Sequence, residues 1–530
     1  MKKALYTFIT ASLLFTTVGC KKYLDVNSDP NNPTSVEAAL LLPSILQNFS
    51  HGIQIDNRYI ARYVQQWHYG AAINDQWDQH GYTRSNDRGG AMFRSVYWRG
   101  GYNLINLIKD AEENEKWDYA GVGYALQAYG WQTLTDIHGE IILDSAFTVG
   151  KTAFSYTKEE KVYMTVRELC KKALENLNRA DGKVSVQSLG RGDQIYKGDR
   201  SKWIKFVYGI LARNYNHLSK KSTLYKPDSV VYFVDQSFAS NADDAFTPSE
   251  AAAPPNDVSP YGQSRSVISG EEAFDDVGQS WYSIVLMDST NFGGVKITDP
   301  RRDILLQTSV DGKYRGLNPA KGAVEISNVN ERVRNFYGLT MGTQPSLTQP
   351  GKYLYRNEAP VPIMTYAELQ FIKAEAQFRM GDVNARNTYI NAIKASIDFV
   401  GTVNNYSKLS YVPGAGTSSI TTAARDAYAN NPNISPATIT LSHIMRQKWI
   451  ALYGWGAHEV WSDMRRYDYD PLIYPGLTLP TPLFVDNNNK VVQRLRMRFN
   501  SEYVWNQAAL AEIGGLDADF HTKPIWQFLP

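Results

Sequence analysis

The chain has 530 residues, with 55 Lys or Arg against 53 Asp or Glu, so its formal net charge is only +2. Nothing in that balance suggests a nucleic-acid footprint, which needs a clustered basic excess. The length allows a large core or two or three domains, and with only two cysteines, Cys20 and Cys170, stability has to come from that core rather than from a disulfide framework.

The first element is MKKALYTFITASLLFTTVGC. Lys2 and Lys3 make a short basic start, and Ala4 to Val18 is apolar and uncharged. This pattern predicts a secretory signal peptide over residues 1–19, too short and wrongly flanked for a spanning helix. Thr17-Val18-Gly19-Cys20 resembles the lipobox of bacterial lipoproteins. That resemblance implies cleavage before Cys20 and acylation of its thiol and amine. Several acyl chains anchor firmly, since each buried methylene contributes about 0.8 kcal/mol and one chain alone is marginal. Residues 20–34, CKKYLDVNSDPNNPT, read as a polar tether. No later apolar run is long enough to span a bilayer, so the expected membrane contact is the lipid alone.

Pro33-Thr34-Ser35 predicts a helix start, with the helix over residues 36–49. Residues 35–223 are mainly helical by periodicity. Val162, Val166, Leu169, Ala173 and Leu177 share one helix face, and Trp203, Phe206, Val207, Ile210 and Leu211 repeat the pattern. Cys170 falls on an apolar face and is expected to be a buried, inert thiol. Residues 224–350 change texture. Prolines at 248, 254, 255, 260, 300, 319 and 345 interrupt them, and the stretch reads as a loop-rich insertion in which residues 230–234 are a strand candidate. Helical order returns over residues 363–470. Tyr366, Leu369, Ile372, Ala376 and Met380 lie on one face, Gly381-Asp382 makes a turn, and VNARNTYINAIKASIDFVG runs back, as in a tetratricopeptide unit. Residues 440–467 read as one further helix, after which Pro471, Pro475, Pro480 and Pro482 end the regular structure. The fold class is mainly α, with tetratricopeptide-like helical repeats and a loop-rich insertion.

Several segments in order resemble the SusD/RagB family of nutrient-binding outer-membrane lipoproteins of Bacteroidetes-type bacteria. They are CKKYLDVNSDPNNPT, LTDIHGEII, APVPIMTYAELQFIKAEAQFRMGD, IMRQKWIALYGWGAHEVWSDMRRYDYD, RLRMRFNSEYVWNQ and TKPIWQF. Ile142 departs from the family's frequent proline. The resemblance covers nearly the whole chain, so residues 35–530 are expected to form one SusD-like domain. It implies a non-enzymatic, lipid-anchored protein of the outer membrane, facing the cell exterior. Such a protein caps a SusC-like TonB-dependent transporter and delivers oligosaccharides to it, or in some members peptides. A surface glycosidase and a non-binding assembly scaffold stay open as other classes.

Aromatics are plentiful, with 34 Tyr, 12 Trp and 20 Phe. Sugar rings pack their C–H faces on such side chains, while Arg, Asn and Asp bond the hydroxyls. Two loop regions combine these residue types. Asn74, Trp77, Tyr82 and Arg84 stand in the first; Tyr261, Trp281 and Tyr282 stand in the insertion, with Tyr314 and Tyr337. These are the expected ligand contacts, against the plainer reading that the rings pack loops onto the helical body. The histidines lack the two-histidine, one-turn spacing of zinc sites, so no metal or other cofactor is expected. No serine nucleophile elbow is present, and no catalytic residues are assigned. Lys448, Glu459, Arg465 and Arg466, at spacings of three and four, point to internal ion pairing.

Overall fold

The computed structural model of the protein describes residues 36–250, 257–268, 274–288, 295–406 and 418–530. Cys20, the signal segment and the tether lie outside the described residues.

Helix α1 (Ala38–Tyr63) is buried along most of its length and continues well past residue 49. The polar run after residue 49 suggests a stop, but those side chains find partners inside the protein. Asp56 accepts from the backbone N–H groups of Ala91 (2.9 Å) and Met92 (2.7 Å), and Asn57 donates to the Trp455 carbonyl (2.5 Å). Strand β1 (Trp67–Tyr69) follows, then helices α2 (Gly101–Glu113), α3 (Trp117–His138), α4 (Glu159–Leu177), α5 (Arg200–Asn216) and α6 (Pro227–Gln236). The pairs α3–α4 and α5–α6 pack on each other. Cys170 on α4 is fully buried, and burial pushes its thiol pKa up.

Residues 230–234 are helical, not a strand. Pro227 occupies the first turn, where no backbone N–H is needed, and Val230 and Val234 fill the core one turn apart. A short apolar run fits either period, and burial decides it here.

The insertion is otherwise loop-rich and is tied to the helices by two small ribbons. These use β2 (Ala245–Thr247), β3 (Val277–Gln279) and β4 (Val361–Met364), with helix α7 (Trp281–Met287) following β3. Strand β1 pairs antiparallel with β3, placing Trp67 opposite Gln279, and β2 pairs antiparallel with β4. Rings cluster in the insertion's core beside buried aliphatic side chains such as Leu286, Leu305 and Leu306. Trp67 meets Tyr261, Phe274, Phe336 and Tyr453 edge-on, and Phe336 stacks on Tyr355 at 4.0 Å.

Helices α8 (Tyr366–Met380) and α9 (Ala385–Asn404) form the expected hairpin. Thr365 caps α8 by accepting from the Glu368 N–H, and the chain turns at Gly381, which is left-handed (φ 70°). The single helix expected over residues 440–467 is two, α10 (Leu441–Ala451) and α11 (Ala457–Arg466). Gly454 breaks it at φ 87°, and its N–H donates to the Gln66 side chain at 3.1 Å. That contact is long-range and leaves no local periodicity to read.

Charge pairs are buried both between the two helical regions and within the second. Arg213 of α5 pairs with Glu368 of α8, Lys448 with Asp463 (3.0 Å), and Arg466 with Glu375 (2.6 Å). The ion-pairing role expected of the α10–α11 charges is met for Lys448, Glu459 and Arg466, whereas Arg465 donates to the carbonyls of Trp461, Gln493 and Asp136 instead.

Candidate functional site

Residues 77–88 follow α1 and β1 as a loop held from beneath by charge, with Trp77, Asp78 and His80 buried at its base and Arg84 and Ser85 exposed. Arg62 on α1 pairs with Asp75 and, at 2.7 Å, with buried Asp78. Asp78 also accepts from the Tyr69 N–H (3.0 Å) and faces His68 Nδ1 (3.1 Å). Burial would raise the Asp78 pKa, but Arg62 and His68 outweigh it and hold the carboxyl below its usual value. Asp75 accepts from the Trp77 N–H at 2.8 Å, closing the turn that carries the indole.

Against this loop runs an extended segment, residues 494–498, followed by a π-helical turn, Phe499–Tyr503. Arg494 donates to Glu140 (2.5 Å) and to the carbonyls of Lys523 and Pro524. Arg496 donates to the carbonyls of Gly515, Asp517 and Ala518 and to Tyr503 Oη. Arg498 pairs with Asp87, joining the two walls.

Between the walls is a cleft of about 210 Å³, lined by Trp77, Tyr82, Arg84, Arg88, Arg496 and Tyr503 among others. Trp77, Tyr82 and Arg84, three of the residues singled out in the sequence, therefore meet in one place. Their exposures differ. Trp77 is only 2% exposed; it lies against Tyr59 (ring centroids 4.4 Å), and its Nε1 donates to Thr83 Oγ1 (2.8 Å). Tyr82 is half-buried beneath the Arg496 guanidinium, 4.6 Å from its ring, and donates to Asp486 (3.1 Å). Arg84 is exposed and grips Asp486 with two nitrogens, Nε at 3.0 Å and Nη2 at 2.5 Å.

The other four residues do not line this cleft. Asn74 is exposed, and its N–H donates to the Ala320 carbonyl (2.8 Å), tying the loop to the insertion. Tyr261 is buried in the ring cluster and donates to the Gln54 carbonyl (2.7 Å). Tyr282 is buried edge-on to Trp449 at 5.3 Å. The expectation that Trp77, Tyr261 and Tyr282 display their rings is corrected: all three are buried and serve the core, Trp77 against Tyr59 and Tyr63, Tyr261 in the ring cluster and Tyr282 against Trp449. Trp281 is displayed, 48% exposed at the start of α7.

A larger cavity, about 490 Å³, lies beside α9 and is lined by Asp244, Tyr366, Lys394 and Asp398 among others. It contains none of the expected ligand contacts. Asp136, His217 and Glu459 are within common reach of a metal ion. Both imidazole nitrogens already face carboxylates, Nδ1 at 3.1 Å from Asp136 and Nε2 at 2.9 Å from Glu459. Burial would lower the His217 pKa, but the two carboxylates raise it to about 9, so the imidazolium is itself the cation between them.

A family model described as starch-binding and associating with the outer membrane matches residues 30–499. The chain belongs to the SusD-like family. Solved structures share its fold. One is a chitin-binding protein at 20% identity and TM-score 0.68, covering 93% of this chain and 99% of that one. Another is a SusD/RagB family protein from Bacteroides thetaiotaomicron at 20% identity and TM-score 0.65, with the same coverage. A third is a chitin-binding SusD homologue from Flavobacterium johnsoniae at 18% identity and TM-score 0.61, covering 93% and 96%. A search of curated proteins found no match. Among the described residues of this SusD-like chain, no helix is long and apolar enough to cross a membrane.

The cleft's second wall went unread in the sequence, where RLRMRFNSEY counted only as a closing family segment. The run of arginines at 494, 496 and 498 is its one sequence signal: Arg494 and Arg496 line the cleft, and Arg498 ties the segment to Asp87.

Proposed function

We propose that the protein is a surface lipoprotein that binds oligosaccharides and passes them to a SusC-like TonB-dependent transporter in the outer membrane. The observation that supports this reading is the cleft. In a chain of a starch-binding, outer-membrane-associated family, it gathers Tyr82, Phe499 and Tyr503 with Asn86 and arginines, over the buried Trp77. Rings with interspersed hydrogen-bonding groups are the mixture a sugar site needs. In this reading residues 1–19 are the export signal, Cys20 carries the acyl chains, and residues 20–34 span from membrane to domain. The protein binds and does not catalyse. Trp281, displayed on the insertion, is a second contact for a long glycan.

The test is calorimetry and gel retardation of the purified protein with a panel of starch-, chitin- and pectin-derived oligosaccharides, with product analysis for released ends. Isolation from native membranes tests the partner. Saturable binding without cleavage, and co-purification of a barrel-sized protein, are expected. Absence of any glycan binding overturns the reading. Cys20→Ala is expected to leave the protein soluble or unprocessed; a membrane-bound variant of unchanged mass removes the anchor from it.

A further inference from the structure

The charge of the cleft goes beyond what a neutral sugar requires. Four arginines line it, Arg84, Arg88, Arg494 and Arg496, and no carboxylate does. The acids nearest to it are already engaged. Asp486 is held by Arg84 and Tyr82, Glu140 by Arg494, and Asp87 by Arg498 and Asn500. His521, on the same wall, is kept neutral near pH 7, because burial and then Arg496 lower its pKa to about 4.

Two of the four arginines have no carboxylate partner among the described residues. Arg496 spends its donors on backbone carbonyls and a tyrosine hydroxyl. Its charge is therefore left uncancelled over the Tyr82 ring. Arg88 is exposed at the cleft's edge; its backbone N–H donates to Asn86 Oδ1 (3.0 Å), and its guanidinium makes no ion pair. Two guanidinium groups without a carboxylate partner beside one small cavity leave it a positive field that favours an anion. A planar fork that is always charged suits carboxylate and sulfate groups.

We propose that this cleft selects acidic glycans, those bearing carboxylate or sulfate groups, and that Arg88 is the residue that pairs with the anion. This rests on the glycan-binding reading above. Arg496 supplies a fixed positive field that favours the anion without bonding it, and Thr83, Ser85 and Asn86 supply uncharged contacts beside it. The rings beneath hold the sugar face.

The experiment compares matched probes by calorimetry: oligogalacturonates and their methyl esters, chondroitin sulfate oligosaccharides, and chitin and starch oligosaccharides of similar length. At least one acidic probe is expected to bind roughly tenfold or more tightly than its uncharged counterpart, with the preference shrinking as salt rises. Preference for the carboxylate or for the sulfate probe identifies which anion is met. Arg88→Gln is expected to remove most of that preference at unchanged melting temperature, and Arg88→Lys to keep part of it. Neutral probes that bind as well as acidic ones, or an acidic preference that survives in Arg88→Gln, overturn this inference and leave the proposed function standing. No binding by any probe overturns both.

Discussion

Arg213 on α5 and Glu368 on α8 are 155 residues apart in sequence and face each other through two bonds of 2.6 Å, both side chains buried. A further Arg213 nitrogen lies 3.7 Å from Glu459, which in turn holds His217. The chain of charge Glu368–Arg213–Glu459–His217–Asp136 joins elements from both helical regions across the core. Taking such groups from water is costly, and geometry this close is what offsets it.

Removing one member should therefore be worse than removing two. Arg213→Met leaves Glu368 without its partner and is expected to cost about 3–5 kcal/mol, whereas adding Glu368→Leu should recover a large part. Denaturant unfolding of the three proteins checks this. A single variant as stable as the parent would show that the pair contributes nothing.

Stability should fall on both sides of a maximum near neutral pH. His217 has its pKa raised to about 9, against about 6.5 for an unperturbed histidine, so the folded state binds the extra proton between those values. Its contribution is fully present below about pH 6.5 and lost as pH rises through about 9, on the order of 3 kcal/mol. His51, His80 and His458 are lowered to about 3, and His138 to about 4, first of all by burial. They bind fewer protons folded than unfolded, so their contribution is present above pH 6.5 and declines on acidification. Melting curves from pH 4 to 10 should show both limbs, and His217→Gln should flatten only the alkaline one.

Trp77 and Trp281 should separate cleanly. The buried Trp77 indole packs on Tyr59 and Tyr63, so Trp77→Ala is expected to destabilise the fold by about 3–5 kcal/mol. Trp77→Phe should retain most of the packing and lose the bond to Thr83. Trp281→Ala, at an exposed position, should change stability by no more than about 0.5 kcal/mol. Thermal melts decide; a Trp77→Ala protein that melts normally would mean that the ring is displayed rather than packed.

Cys170 should resist alkylation in the native protein and react once denaturant exposes it. Mass spectrometry after iodoacetamide treatment reads this directly. Native-state labelling at a rate near that of a free thiol would contradict its burial.

The sequence by itself determined the helical class, the hairpin around Gly381, the loop-rich insertion and the burial of Cys170. Each rests on local periodicity or turn chemistry, which a few neighbouring residues specify. It also picked out Trp77, Tyr82 and Arg84, because ring and arginine side chains stand there in a polar loop. Only the tertiary structure decided the rest. Helix α1 runs on to Tyr63 because Asp56 and Asn57 find partners at residues 91–92 and 455. Residues 440–467 break because Gly454 bonds Gln66. The Tyr261 and Tyr282 rings turn inward because distant partners receive them, the Gln54 carbonyl for the Tyr261 hydroxyl and Trp449 for the Tyr282 ring, and composition cannot distinguish packed rings from rings on display. The cleft itself joins residues 77–88 to residues 494–503, and no local pattern reports a contact across that distance. Its charge was equally hidden: a net +2 over the whole chain is compatible with four arginines on one small cavity, because pairing depends on which acids the fold brings within reach.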